Sequence, residues 1–463
     1  MLKMILPAIV LILALGCRKD SFISSPEASV IITADTLKFD TLFVSSGSTF
    51  RSFRIKNENN QKLRISSIRL MGNNSAYRLN VDGMQGPRTD NIEIDANDSI
   101  HVFVQVNIDP AAGNLPFIVR DSLEITYNGV RRVVQLEAWG QNAHFLRDYI
   151  VGANETWNND LPYVILGFLY VDSNAVLSVN AGCRVYVHGN APIVIAGSLR
   201  VNGLRDTANH VVFRGDRLDE PYSNLPAAWP GIFFAASSAN NLLQYAEIRN
   251  AYQAIAITDP SPSVNPKLQL SECIIDNAYD AGIVGINSSI RAQNCQISNC
   301  GKNIVLVKGG DYQFTHCTVA SYGNNFIAHR EPVLLLSNFI NVNNNPVAAN
   351  LSAVFRNCIF WGQNGTVDNE VMLLKNGNTA FNVTFDHPLW KVTTVPAPAT
   401  VINALNNQDP RFDSVDVGRN FYNFRLKANS PAVNRGVPTS VLIDLDGNPR
   451  PVGMPDLGCF EFR

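Results

Sequence analysis

The feature that most constrains this chain is a phrase that recurs between Leu243 and Gly362. The segments LQYAEIRN, LSECIIDN, AQNCQISN, FTHCTVAS, LSNFINVN and FRNCIFWG align on Ala246, Cys273, Cys295, Cys317, Phe339 and Cys358. The spacings are 27, 22, 22, 22 and 19 residues, so a unit of about 22 residues is repeated. Such a period belongs to solenoids, propellers or arrays, where each unit buries its apolar face only by stacking on its neighbours.

The phase within the unit selects among these. Residues two apart in a strand share a face, so the aligned residue points inward together with Ile248, Ile275, Ile297, Val319 and Phe360 two positions later. Three positions before it stand Leu243, Leu270, Ala292, Phe314, Leu336 and Phe355. Four positions after it stand Asn250, Asn277, Asn299, Ser321, Asn343 and Gly362. Asn and Gly tolerate the left-handed backbone of a sharp strand-ending turn. Asn250, Asn277, Asn299 and Asn343 are therefore expected to form an asparagine ladder. One short strand and one Asn turn per coil, without an amphipathic helix, describe a parallel β-helix. The pattern resembles the right-handed parallel β-helices of the pectate-lyase-like superfamily. At this period, residues 160–400 amount to about eleven coils. Cys273, Cys295, Cys317 and Cys358 occupy one inward column, where a thiol acts as a small apolar side chain; paired ligands at zinc-site spacing are absent.

The first residues read MLKMILPAIVLILALGC, one basic residue and an apolar run too short to span a membrane. Ala14-Leu15-Gly16-Cys17 resembles a lipobox, which implies lipid on Cys17 and a membrane anchor that does not span. Arg18-Lys19-Asp20 after it resembles the export tag of Gram-negative surface lipoproteins, which implies an outer-membrane location with the cell surface favoured. Net charge is −2 and charged residues make up 16%. Without a basic excess to drive counterion release, a nucleic-acid partner is excluded.

Between residues 28 and 142 the text changes to short alternating runs broken by polar turns, with Asn128-Gly129 as a hairpin signal. Seven or eight strands in this length predict a β-sandwich. FDTLF, FRIKN, LRISSI and LEAWG resemble immunoglobulin-like ASH domains. At the other end, SPAVNRG, DLDGNPRP and PDLGCFEF resemble the choice-of-anchor Q segment that closes many bacterial surface β-helix proteins. A solenoid leaves a bare apolar end that such a segment is expected to cover. The expected organisation is all-β: signal peptide 1–16, tether 17–27, immunoglobulin-like sandwich 28–142, right-handed parallel β-helix 143–400 and C-terminal cap 401–463.

Relatives of this fold cleave polysaccharides, hydrolases with paired carboxylates and lyases with an Arg or Lys base, often beside calcium. The candidate residues are Asp276, Asp280, Lys308, Asp311, His329 and Arg330. Lys308 and Arg330 are 22 residues apart and are expected to stack outward together, with Asp311 beside them, as a lyase base and partner or an acidic-sugar patch. DLDGN lacks an EF-hand's twelfth-position Glu, since Pro455 stands there, so Asp444 and Asp446 are read as turn-formers. No metal ligand set is predicted, and calcium enters only with a lyase. Two functions stay open. One is a non-catalytic, lipid-anchored envelope protein whose β-helix binds glycan or protein; the other is a lyase or glycosidase acting on acidic polysaccharide at the cell surface.

Overall fold

In a computed structural model the chain is all-β and divides into two units, 1–142 and 143–463. The structure describes residues 21–43, 50–72, 75–106, 117–218, 222–451 and 453–463. Cys17 and the apolar leader lie outside the described residues.

The first unit holds two sheets. One orders Phe22–Ile23, Lys62–Leu70, Phe117–Tyr127, Val130–Gln141 and Thr36–Phe43, with Arg88–Ile94 also pairing Lys62–Leu70. The other orders Val30–Ile32, Phe50–Asn57, Ser99–Val106, Tyr77–Val81 and Met84–Gln85. Alternation places Ile55, Leu63, Ile65, Val102, Val104, Leu123 and Ile125 inside. Asn128 and Gly129 take φ of 47° and 78°, the left-handed pair of a tight hairpin turn. Residues 22–25, within the stretch expected to be a tether, already belong to this unit. Phe22–Ile23 pairs in parallel with Lys62–Leu63, Ala28 is buried, and Asn128 Nδ2 donates to the carbonyls of Ile23 and Ser25.

The second unit is a parallel β-helix of three faces. Face A runs through strands such as Ala246–Arg249, Ile274–Asp276, Gln296–Ser298, Thr318–Ser321 and Ile359–Gly362. Ten successive parallel pairings link its rungs from His144–Val151 to Leu405–Asn406, hence eleven rungs. The helix thus extends past residue 400. Face B includes Gln253–Thr258 and Leu334–Ser337, and face C includes Leu268–Ser271 and Leu351–Arg356. Long strands Ala281–Gln293 and Lys302–Thr315 serve faces B and C in turn.

In-register stacking fills the interior with columns of like residues. Phe314, Phe355 and Phe385 stack at 5.3 and 5.1 Å between ring centroids. Cys273, Cys295, Cys317 and Cys358 are buried and free, as are the three other described cysteines. Burial holds the thiols of Cys295 and Cys358 well above their ordinary range. A thiolate there would have no solvent.

Asn250, Asn277 and Asn299 turn the chain from face A to face B with φ of 62°, 58° and 50°. Asn277 Nδ2 donates to Asn250 Oδ1 at 2.9 Å and receives Asn324 Nδ2 on its own Oδ1 at 2.8 Å. Asn299 contributes differently: its Oδ1 accepts from the Tyr322 amide at 3.1 Å. Asn343 is not in this ladder. It sits, exposed, in the turn of a hairpin formed by Phe339–Val342 and Asn345–Ala348, and Phe339 is therefore no inward rung residue. The true rung after Cys317 begins at Cys358, 41 positions on, because that coil carries a loop at 322–333 and this hairpin.

A second left-handed column stands just before the inward cysteines. Tyr245, Glu272, Asn294, His316, Asn357, His387 and Asn403 have φ between 46° and 54°. Here the ladder bonds are Asn294 Nδ2 to Glu272 Oε1, Asn357 Nδ2 to His316 Nε2 and Asn403 Nδ2 to His387 Nε2, each 3.0 Å. Burial and the Arg450 charge push His316 down to about 2, so its ring is neutral and its Nε2 accepts.

The C-terminal segment lies along face A. Its hairpin of Phe412–Asp416 and Phe421–Leu426, with Leu445, Leu457 and Phe460, covers outward-facing Ala320, Ile359, Trp361 and Leu389. Cys459 N donates to Thr318 Oγ1, Arg450 Nη2 to Asn294 Oδ1 and Arg205 Nε to the Asp446 carbonyl. Asp444 closes its own turn, Oδ1 accepting from the Asn448 amide at 2.6 Å.

Replacing Asn277 with Val removes its side-chain bonds to Asn250, Asn324 and the Asn224 carbonyl and places a β-branched residue at positive φ. Thermal melting is expected to drop by an amount on the order of 2 kcal/mol. Asn277→Gly, which keeps the turn, should lose less in the same measurement.

Candidate functional site

The predicted trio does not converge. Lys308, at φ 60°, turns the chain from face B to face C, and Gly309 follows with its Cα against the Asn350 carbonyl. Arg330 is exposed in the 322–333 loop, between face A and face B. A count of 22 from Lys308 lands inside the expanded coil, so the two bases stand at different corners. Asp311 points outward on face C, where Arg291 Nη2 holds its Oδ2 at 2.7 Å. His329 is buried with its Nε2 2.9 Å from Glu370 Oε1, a carboxylate that also accepts from the Val333 amide. Asp280 is engaged by Lys302 at 3.0 Å and Gln253 at 2.7 Å. Among the described residues no group of three His, Cys, Asp or Glu could hold a metal ion.

Two of the six line a cleft: Asp311 one of about 430 Å³ on face C, and Asp276 a second beside face A. This cavity of about 650 Å³ opens between face A and the C-terminal segment, with the Arg205–His210 turn at one side. Strand alternation sends Glu247, Arg249 and Asp276 outward from successive rungs of face A. Arg249 Nε binds Glu247 Oε2 at 2.9 Å and its Nη1 reaches Asp276 Oδ2 at 3.3 Å. His210 Nδ1 lies 2.8 Å from Glu247 Oε1. The other wall presents Asn420, Phe421, Tyr422 and Arg425. Arg425 forks onto both oxygens of Asp446 at 2.6 and 2.7 Å and lies over the Phe460 ring.

Burial works to raise Glu247, but the His210 hydrogen bond and the Arg249 charge outweigh it and hold the carboxyl down at about 2. The Arg249 guanidinium is opposed by desolvation, which Asp276 and Glu247 more than offset, so it is pushed above its ordinary value. Arg425 is raised chiefly by its hydrogen bonds to Asp446. The cleft therefore offers fixed cations, amides and the aromatic rings of Phe421, Tyr422 and Phe460, with positive and negative groups in balance. Phe421 is 55% exposed and free to meet a ligand.

The outward register could have revealed one wall. Positions one and three after the aligned residue read Glu247/Arg249, Ile274/Asp276, Gln296/Ser298, Thr318/Ala320 and Ile359/Trp361. The shift from charged to apolar marks where the C-terminal segment lies down and where it leaves a gap. His210 and Phe421 come from outside the repeat and carry no such signal.

No protein-family model matches the chain, and no curated protein matches it. Among solved structures, pectate lyase Pel9A is 13% identical over 70% of this chain and 88% of its own, with a TM-score of 0.31. A protein of unknown function from Porphyromonas gingivalis W83 is 18% identical over 27% of this chain, TM-score 0.19; the match spans 49% of that protein. The ASH/PapD-like domain of human CEP192 is 10% identical over 27% of this chain and 97% of its own, TM-score 0.17. These weak likenesses do not bear on what the chain does.

Because Glu247 is held below its unfolded value, the stability it contributes is full above about pH 4.5 and is lost as pH falls through about 2. Glu247→Gln is expected to destabilise at pH 7 by roughly 3 kcal/mol. Denaturant titrations at pH 7, 4 and 2.5 should show wild type and variant converging as pH falls.

Proposed function

We propose that this chain is a lipid-anchored cell-envelope protein that holds polysaccharide in the face A cleft without cleaving it. The anchor in this reading is lipid on Cys17, placing the protein at the outer membrane with the cell surface favoured. The observation that supports the non-catalytic part is that the cleft's arginines are tied to carboxylates, Arg249 to Glu247 and Asp276 and Arg425 to Asp446. Proton abstraction next to a uronate needs a base with a proton-free form near the working pH. Arg249 and Arg425 are driven the other way by their carboxylate partners. They serve as fixed hydrogen-bond donors for ligand oxygens, while Phe421 offers a ring for the apolar face of a sugar. With cations and carboxylates in balance, the cleft does not demand an acidic glycan.

Purified protein lacking residues 1–17 should retain at least one polysaccharide from a panel of acidic and neutral chains, and calcium should not be needed. New unsaturated or reducing ends in the same incubations would overturn the reading. Phe421→Ala is expected to weaken retention about tenfold, or about 1.4 kcal/mol. Cys17→Ser should move the full-length protein from the membrane fraction to the soluble fraction.

A further inference from the structure

The outer surface of face B carries an unbroken apolar column. Strand alternation turns Val194, Phe233, Ala256, Val284, Val305 and Leu335 outward, and the parallel register sets each over the one before. Tyr170 precedes them and Met372 follows in the same register. Beside the column Ile286 pairs with Val307, and Leu374 shares the outward side of Met372. The inner members are half-buried among their neighbours on the sheet, while Met372 and Leu374 are 39% and 40% exposed.

The other two faces show what outward positions carry elsewhere in this unit. On face C, Gln269, Arg291 and Gln313 stand in register. On face A, Glu247, Arg249 and Asp276 stand where the surface is open, and Ala320, Ile359 and Trp361 where the C-terminal segment lies over it. Outward apolar residues on face A are thus covered ones. Face B has the covered kind of surface and leaves it in the open, which forgoes the gain of burial.

Size and charge restrict what would cover it. Seven successive pairings at about 4.8 Å, on strands about 15 Å wide, make a strip of roughly 500 Å². That equals the largest apolar patches of monomeric proteins, which mark interaction sites. One coil widens the strip on both sides. The 322–333 loop precedes its face B strand and the 339–348 hairpin follows it, and they carry Phe326, Val342 and Val347, 45%, 45% and 39% exposed. The hairpin strands pair only with each other, an arrangement that is marginal in water by itself. With these additions the surface approaches the ~800 Å² that each partner gives to a stable dimer.

A two-fold contact also requires a patch that complements itself. A column apolar at every rung does so in either direction, because turning it end over end again sets apolar on apolar. Its rims agree: Asp280 with Lys302 at 3.0 Å lies along one edge, Asp259 and Lys308 along the other, so both signs stand on each side. Such rims fit a polar border around an apolar centre and hold no basic excess for anionic lipid headgroups.

We propose that face B is where two copies of this chain meet, sheet against sheet, in a two-fold dimer. The apolar column lies at its centre, and the 322–333 loop and the 339–348 hairpin lie at its edges. This dimer is independent of what the face A cleft holds.

Sedimentation equilibrium of the chain lacking residues 1–17 should show monomer and dimer exchanging at micromolar concentration. Leu335→Glu and Met372→Glu should each weaken dimerisation about tenfold or more by setting a charge in the apolar centre. Val305→Thr, which keeps the branched shape a strand prefers, should weaken it less, and Gln313→Glu on face C should leave it unchanged. Should Leu335→Glu lower the melting temperature, Met372→Glu decides, because that position is already open. A wild-type chain that stays monomeric, or a dimer that Met372→Glu leaves intact, would overturn the proposal. Flotation with phosphatidylethanolamine–phosphatidylglycerol vesicles tests the other cover. A monomer that floats with them and ceases to do so with Met372→Glu would put lipid on face B in place of a second copy.

Discussion

Everything in the second unit depends on one constraint: each coil must return in register over the coil before it. Parallel strands satisfy their backbone groups only through neighbours above and below, so a coil that drifts by one residue would turn its apolar side chains outward. Register is held at the corners, where residues in the left-handed region turn the chain, and at two of these corners side chains bond from coil to coil. At one, Asn250 and Asn277 are joined amide to amide. At the other, unlike partners such as Glu272 with Asn294 and His316 with Asn357 make the corresponding bonds. Stacked phenylalanines and thiols inside are a result of that alignment, since equal coil phases bring equal positions over one another.

Much of this was legible in the sequence because period and alternation are local. The inward residues Ile248, Ile275, Ile297, Val319 and Phe360, the Asn corner and the sandwich hairpin at Asn128-Gly129 all follow from spacing alone. The second corner was not legible, because Tyr245 and Glu272 do not announce a left-handed turn and so masked the Asn and His residues of the same column; there the polar stacking and the C-terminal segment stabilise the turn. Phe339 and Asn343 were misplaced for a related reason. Their phrase imitates a rung, but the hairpin that contains them is an insertion within a coil.

The site was less legible than the fold. Spacing arguments hold only while the period holds, and Arg330 was paired with Lys308 across the one coil in this stretch that nearly doubles in length. The cleft depends on the C-terminal segment lying against face A, with Asp446 meeting Arg205 and Arg425. The Arg205–Asp446 contact spans 241 positions and leaves no periodic trace. What the sequence did hold was the outward column of face A, whose passage from Glu247 and Arg249 to Ala320 and Trp361 maps the gap and the covered part.

The lateral course of that segment changes how the solenoid can come apart. In an array whose repeats touch only their neighbours, opening can begin anywhere and spread one repeat at a time. Here a single stretch of chain is fastened at Arg205, Asn294, Thr318 and Asn357 and packs on Leu389. The rungs at Val211, Ala246, Ile274, Gln296, Thr318, Ile359 and Leu389 thus become one cooperative block. Fraying is left chiefly to the three rungs before Val211, so this unit behaves less like a zipper than like a bound sheaf.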